Sequence, residues 1–537
     1  MSPFAYNSGM PMLLRFASFA YFSRFYPRQL VRKQGNCYAV FKSKFRGHLT
    51  EPFIETPRGR VLTFYDLEVI SGHFVAFFEN LGMKLGDRVL VQVQKSPEAV
   101  CLYVACLRAG VVYVPLGEGL QEQEVLSIAN QAQPSLFVCS PEKIELYGEW
   151  AKANSVPIRT LGTPRDGSLV EEAQRMGLDL RVRNVPASTP ACILYTSGTT
   201  GRPKGAVITH ENIVENTTDT RDAWGIERDD ILLHVLSIAH IAGLVDLNLV
   251  LLTASRAILC GATPSLVTTE LLPHATWVRA SPDWYARLFE DERIDCRIAF
   301  GSLRIALTAS APVNADFFRL FKARTGKSLI HRYGMTEAGV IATGPLNHER
   351  AGSPGKPLPS AEVRIVDERG GVVPPEIVGS IEVRGGGVFA GYWNDPERTA
   401  EAFTPDGFFR TGDIGRFDKD GYLWIEGRTK DVIIRGGAKV YPKEVEICID
   451  ALDGVRESAV FGIADPMLGE CPVAVIVSES GELDQPELFV KESLKPLLAP
   501  YKIPVRVWQI SEMPRTETGK IKKETLRAQF ESATLSE

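Results

Sequence analysis

Residues 193–210 read ILYTSGTTGRPKGAVITH, and residues 197–205 within them contain nothing but Ser, Thr, Gly, Arg, Pro and Lys. The apolar residues just before this run read as the end of a buried strand, so the run is a loop that a strand delivers. Such a loop can wrap an anion. Ser197, Thr199 and Thr200 offer hydroxyl donors, with Thr196 at the edge, and Gly198 and Gly201 let backbone N–H groups approach closely. Arg202 and Lys204 add positive charge, and the set suits a polyphosphate. The pattern GxxxxGK[ST] is absent, because Lys204 follows Pro203. A plain Gly/Ser linker has the same composition, so the chemistry must be sought in more than one place.

Three further stretches carry chemistry in a fixed order. Residues 333–337, YGMTE, set the Thr336 hydroxyl beside the Glu337 carboxylate. That pair suits a hydrated magnesium ion bridging phosphate oxygens, and it also has the look of a helix N-cap. Asp413 in RTGDIG and Arg428 in GRTKD stand fifteen residues apart with a strand–turn–strand pattern between them. A hairpin brings its ends together, so a carboxylate able to accept two ribose hydroxyls and a guanidinium can share one nucleotide. The alternative is a solvated salt bridge. Residues 514–522, PRTETGKIK, place Lys520 in a polar turn. A cation there can stabilise the charge that develops when a carboxylate attacks an α-phosphate, anion against anion; a surface lysine is the alternative.

The elements that must hold these residues alternate between strand and helix. From Leu62 a helical pattern runs to Gly82, residues 87–93 (DRVLVQV) read as a strand, residues 96–110 as a helix ending on glycine, and residues 111–115 as a strand. A second cycle follows, with a helix over 122–130 and a strand over 135–139. Further short strands are expected at 231–236, 254–259, 302–307 and 328–331. The fold class is therefore α/β, a large layered unit with parallel-rich sheets whose loops share one face. Strands at 362–366 and 380–383 change the rhythm to antiparallel. A boundary is expected at residues 427–431. The last hundred residues form a small α+β unit, with a helix opening at Pro442 that aligns Val445, Ile449 and Leu452.

The chain of 537 residues is 45% hydrophobic and 23% charged, enough for more than one core. Its net charge of −5 conceals an asymmetry. Residues 1–50 hold eight Lys or Arg and no Asp or Glu, which leaves 52 basic and 65 acidic residues, a net of −13, for the rest. Such a body is a poor partner for nucleic acid. The nine cysteines form no CxxC or Cys/His cluster, which points to buried thiols in a reducing compartment. No apolar run reaches the length of a transmembrane helix. Residues 1–33, basic, aromatic and acid-free, read equally as a mitochondrial transit segment, a membrane-surface helix or a helix packed on the body. The location is accordingly cytoplasmic, or mitochondrial if those residues act as a transit segment.

Taken together, these stretches resemble the adenylate-forming superfamily of acyl-CoA synthetases, peptide-synthetase adenylation domains and firefly luciferases, over roughly residues 62–527. The resemblance implies an N-terminal domain over 34–429, a mobile C-terminal domain over 430–537 and a hinge at Lys430. It implies that residues 196–204 hold the ATP phosphates, that Ser310, Ala311 and Pro312 with Tyr333 and Gly334 flank the adenine, and that Glu337 holds Mg2+. Asp413 and Arg428 would hold the ribose and Lys520 would be the adenylation lysine, with Thr336 and His240 also in the catalytic set. The C-terminal domain would then rotate so that Gly436, Gly437 and Lys439 line a channel for coenzyme A.

Residues 86–115, HRYGMTE, GYWNDPERTAEAF and GGAKVYPKEVE are most similar to the malonyl-CoA synthetase branch. Arg287 matches an arginine that this branch uses to pair a distal carboxylate, and a helix-surface arginine is the alternative. The chain departs from the branch where Ser237, Ala239 and Ala242 replace bulkier or polar pocket residues, and where Lys439 replaces an Asn. An ATP-dependent acid:thiol ligase acting on a small-molecule dicarboxylic or other carboxyl-bearing acid is expected. Transfer to a carrier-protein thiol or an amine is the alternative, and a homodimer is compatible with it.

Overall fold

The computed structural model describes residues 35–162, 167–196, 203–261, 266–308, 315–346, 350–436, 438–465, 467–479, 481–516 and 519–534. The expectations for residues 1–33, Ser197 to Gly201, Ser310 to Pro312 and Gly437 fall outside these.

Local signals set the elements as the sequence suggests. The helix Pro97–Ala109 starts where Ser96 Oγ accepts the Ala99 N–H at 3.1 Å and stops where Gly110 takes φ +66. Every residue from Pro97 to Arg108 is buried, which is why this stretch is apolar all round. The helix His210–Trp224 begins with a reciprocal cap in which Thr209 and Asn212 bond each other's backbone N–H.

The alternating strands divide between two sheets. One has six strands in the order Ile158–Thr160, Leu136–Cys139, Arg88–Gln92, Val112–Pro115, Pro190–Thr196, Lys204–Thr209, parallel except for the last pair. The other has nine, with a parallel centre running Leu329–Met335, Ile305–Thr308, Trp277–Ala280, Ile231–His234, Arg256–Leu259, Pro52–Glu55. The carboxyl ends of these strands deliver Thr196, His234, Thr308 and Tyr333. That is where ligands bind in parallel sheets. A four-stranded antiparallel sheet ends at Arg428, a turn spans Thr429–Asp431, and a five-stranded sheet begins at Ile433.

Three details differ from expectation. The strand expected to stop at His331 continues to Met335 and pairs antiparallel with Gly339–Thr343. Thr336 and Glu337 therefore sit in a hairpin turn and not at a helix cap; Gly339 at φ +61 allows the reversal. The strand Ile305–Thr308 starts three residues later and ends one later than read, and the strand Arg256–Leu259 begins only after Ala254 has closed a helix in the left-handed conformation. In the C-terminal unit Val445 and Ile449 are buried as expected, with Leu452 packed beside them. The short strand Val507–Gln509 and the helix Lys523–Thr534 had no sequence reading.

The turn before the helix Ile241–Thr253 is the tightest packing near the expected acid pocket. A Cβ on Gly243 would stand 2.1 Å from the Ser237 carbonyl oxygen. Gly243→Ala should therefore displace residues 237–240 and destabilise the protein by about 1–3 kcal/mol, with acid activation suffering more than ATP binding. Thermal unfolding and ATP titration check this; an unchanged Tm with unchanged kinetics would show that the turn yields freely.

Candidate active site

Thr196 and Lys204 are direct cross-strand partners at the end of the Pro190–Thr196 and Lys204–Thr209 hairpin. They close the mouth of the phosphate-loop candidate. The Lys204 ammonium lies 5.3 Å from the ring centroid of Tyr392, and the Tyr392 hydroxyl donates to Glu337 Oε1 at 3.2 Å. The antiparallel turn thus carries Glu337 to the base of the loop, where its backbone carbonyl accepts the Phe389 N–H at 2.8 Å. Glu337 is 8% exposed. Burial pushes its carboxyl above the usual range, and the Tyr392 hydroxyl, Arg428 and Lys204 offset this in part.

Asp413 and Arg428 are register partners in the Phe409–Phe417 and Leu423–Arg428 hairpin, joined by an ion pair of 3.1 Å. The hairpin forms because Asp418 accepts the N–H groups of Asp420 and Tyr422 with one oxygen and Gly421 takes φ +78. The other Asp413 oxygen accepts the Tyr333 hydroxyl at 2.6 Å. Asp413 is buried, and desolvation raises its pKa against the pull of Arg428. A carboxylate in that state gains from further hydroxyl donors.

Lys520 arrives from the C-terminal unit. Thr516 N–H bonds the Lys520 carbonyl at 2.8 Å, and Gly519 at φ +80 completes the turn. The same turn abuts the Ser281 side chain, which a Cβ on Gly519 would meet at 3.8 Å. The Lys520 side chain keeps contact with solvent, yet its ammonium pKa is lowered, first by desolvation and then by Arg428; Asp413 and Glu337 oppose the shift, and Arg332 adds to it. All four groups act on the lysine's charge. The described residues thus bring Thr196, Lys204, Tyr333, Gly334, Thr336, Glu337, Asp413, Arg428 and Lys520 to one site. Gly334 is packed so closely that a Cβ would meet the Gly339 carbonyl at 2.1 Å.

Other expected residues have these surroundings. His240, Ala239 and Ala242 lie part-exposed at the start of the helix Ile241–Thr253. Lys430, in the Thr429–Asp431 turn, pairs with Glu524 at 3.1 Å. Lys439 pairs with Glu368 in the turn after Ala361–Val366, so it and Gly436 lie away from Lys520 in this arrangement. Arg287 is 53% exposed and pairs with Asp283 at 3.0 Å, one helical turn away. The desolvated setting expected for it is absent. Tyr392, which links the loop lysine to Glu337, had no role in the sequence reading; its one signal was an aromatic inside GYWNDP.

The hairpin mouth at Thr196 and Lys204, the Asp413–Arg428 pair and the Lys520 turn on one layered α/β body suit a carboxylate-activating, AMP-forming enzyme. The AMP-binding enzyme pattern matches residues 41–393 and the AMP-binding enzyme C-terminal domain pattern matches residues 444–520; the chain belongs to this family. It is 35% identical to the malonate–CoA ligase ACSF3, mitochondrial, of Homo sapiens over 497 residues, covering 83% of each chain. It is 33% identical to the indoleacetate–CoA ligase of Aromatoleum aromaticum, covering 80% of this chain and 86% of that one. The crystal structure of ATP-bound MatB from Rhodopseudomonas palustris superposes with a TM-score of 0.87 at 36% identity, over 92% of this chain and 99% of that chain. The chain is an ATP-dependent acid:thiol ligase of the acyl-CoA synthetase type.

Lys520→Ala should lower acyl-adenylate formation by about 10²- to 10³-fold, as for loss of one preorganised charged donor, while thioester formation from supplied acyl-AMP survives. Equal losses in both half-reactions would refute a role confined to the first. Because the ammonium is the active form and its pKa is lowered, adenylation should fall on the alkaline side at a lower pH than an ordinary lysine would give. Lys520→Arg should move that limb upward, which pyrophosphate-release assays across pH measure.

Proposed function

We propose that the enzyme converts a small dicarboxylic acid to its coenzyme A thioester through an acyl-adenylate. The placement of Lys520 beside Arg428, Asp413 and Glu337 carries the first half of this reading. A cation in that position would stabilise the meeting of the attacking carboxylate with the α-phosphate. The malonate–CoA ligase relatives support a diacid as substrate.

Mg2+ fits the site. Its donors would be the Glu337 carboxylate and the Thr336 hydroxyl, both hard oxygens, and the raised pKa of Glu337 marks a buried carboxylate short of positive charge. Among the described residues no group of three His, Cys, Asp or Glu could hold a metal alone, so phosphate and water would complete the shell. When bound, the ion neutralises phosphate charge. Asp413 takes the ribose hydroxyls with Arg428 beside it, Tyr333 fixes the Asp413 carboxylate, and Lys204 and Lys520 hold the phosphates and the developing charge.

The acyl-adenylate then meets coenzyme A after the C-terminal unit turns about Lys430, which brings Gly436, Gly437 and Lys439 toward the site in exchange for Lys520. The exposed pairs Lys430–Glu524 and Lys439–Glu368, open to solvent, hold the present arrangement only weakly. Residues 1–33 are proposed as a mitochondrial address, which removal from a fluorescent fusion would test. No helix among the described residues is long and apolar enough to cross a membrane.

Lys430→Pro suits the tight turn seen here and forbids a large φ change. The variant should accumulate acyl-AMP and yield little thioester. Normal thioester turnover would place the pivot elsewhere. A pyrophosphate-release screen of mono- and dicarboxylic acids, with coenzyme A, hydroxylamine and amines as acceptors, tests the substrate and acceptor; a clear preference for monocarboxylates would overturn the diacid.

A further inference from the structure

Lys95 takes no part in the chemistry above, yet it joins the two large sheets at the ends that carry the site. It follows the strand Arg88–Gln92 of the six-stranded sheet, just before the helix Pro97–Ala109. Its Nζ donates to the carbonyls of His234 and Leu236 at 2.8 and 3.0 Å, where the strand Ile231–His234 of the nine-stranded sheet ends. A third and longer contact, 3.4 Å, runs to His234 Nδ1. The other side of that ring sets its tautomer. Nε2 lies 3.0 Å from the Gly243 carbonyl, which can only accept, so Nε2 carries the proton and Nδ1 offers a lone pair. Burial, and then Lys95, push the imidazole pKa to about 3, so the ring is neutral.

An ammonium has three N–H donors, and three acceptors meet this one. A neutral amine has two donors and a lone pair, so one of the three contacts must part once the proton leaves. The protonated form is the one that the arrangement fits. Further groups face it from each neighbouring element: Asp246 on the helix Ile241–Thr253, itself paired with Arg279 at 2.6 Å, Cys260 just past the strand Arg256–Leu259, and Glu118 in the loop after Val112–Pro115. Asp246, Cys260 and Glu118 favour the charged form, but burial outweighs them and lowers the Lys95 pKa to about 7. Lys95 thus exchanges its proton in a range where an exposed lysine stays charged.

The two anchored carbonyls open the turn that precedes the helix Ile241–Thr253. Within it the His240 N–H bonds the Ser237 carbonyl at 3.4 Å, the Ala239 N–H bonds Ser237 Oγ at 3.2 Å, and Gly243 packs on the Ser237 carbonyl. Ser237, Ala239 and His240 are part-exposed. The turn stands at the edge of the site, because the paired strand Trp277–Ala280 runs into Ser281, which abuts Gly519 of the Lys520 turn. We propose that Lys95 is a positioning residue for the acid: its ammonium ties the carbonyls of His234 and Leu236 to the six-stranded sheet and so sets the turn from Ser237 to His240, and loss of its proton frees that turn and weakens acid binding. The inference rests on acid activation at this edge of the sheet and not on which acid is activated. The groups proposed to hold ATP, among them Lys204, Asp413 and Arg428, stand on other strands, so ATP binding is the control.

ATP–pyrophosphate exchange between pH 6.5 and 8.5, with malonate and with propionate, measures KM for each acid and for ATP. In the parent the acid KM should rise by roughly tenfold or more across this range, following the falling share of the competent form, while the ATP KM stays within about twofold. Lys95→Met keeps the stem without the charge and should show the high acid KM already at pH 6.5, with little dependence on pH. Lys95→Arg, charged throughout, should also lose the rise, and with the parent profile it decides the matter if the Met variant fails to fold. Unfolding cannot imitate the effect. The folded lysine holds its proton less tightly than an unfolded one, so between about pH 7 and 10 its contribution to stability grows with pH, and Tm at each pH checks this. A parent acid KM that is constant over the range, an equal rise in the ATP KM, or a Lys95→Met variant that keeps the parent's rise overturns the proposal. A parent that prefers propionate overturns the diacid reading alone, since the same profile is read with either acid.

Discussion

Joining a carboxylate to a polyphosphate requires positive charge at a point where two anions approach, and the proposed source is a turn of the C-terminal unit. Lys520 rides a five-residue turn of the C-terminal unit and reaches Arg428, Asp413 and Glu337, which belong to other elements. Its lowered pKa has the same origin as its usefulness: partial removal from water strengthens each electrostatic contact it makes. The remaining architecture can be understood from that requirement. The hairpin that aligns Asp413 with Arg428, and the antiparallel turn that presents Glu337, each bring one oxygen-bearing group to the lysine.

Two kinds of ion pair serve different ends here. Pairs such as Asp283–Arg287 lie at the surface, spaced one helical turn apart, and contribute a few tenths of a kcal/mol. Arg279–Asp246 is fully enclosed and joins the helix Ile241–Thr253 to the sheet. A pair of that type stabilises little beyond an apolar contact, but it fixes which way each charged group points. The hydrogen bond from Arg279 likewise sets the direction of the Ala242 carbonyl at the helix start.

Much of the fold and the nucleotide site was legible in the sequence because short-range rules govern them. Caps such as Ser96 and Gly110, and the Asp418 turn that drives the Asp413–Arg428 hairpin, depend on neighbours a few residues away. The hairpin position of Thr336 and Glu337 was not legible, because it depends on pairing with Gly339–Thr343, and the pattern TE occurs in both settings. Arg279 and Asp246 were hidden for another reason. Each interrupts an apolar segment singly, and only the parallel packing of helix on sheet sets them side by side across 33 residues. The i,i+4 spacing of Asp283 and Arg287 is the short-range signal that favours the helix-surface alternative for this arginine.

The contacts Lys430–Glu524 and Lys439–Glu368 flank the linker between the units and are open to solvent on every partner. Exposed pairs of this kind are screened by dissolved ions, with a Debye length of about 8 Å near physiological conditions. These two contacts therefore weaken as salt rises, while the enclosed Arg279–Asp246 pair is shielded from it. Under the proposed rotation about Lys430, salt would therefore act on the exchange between half-reactions, so the rhythm of turnover would answer to the ionic medium.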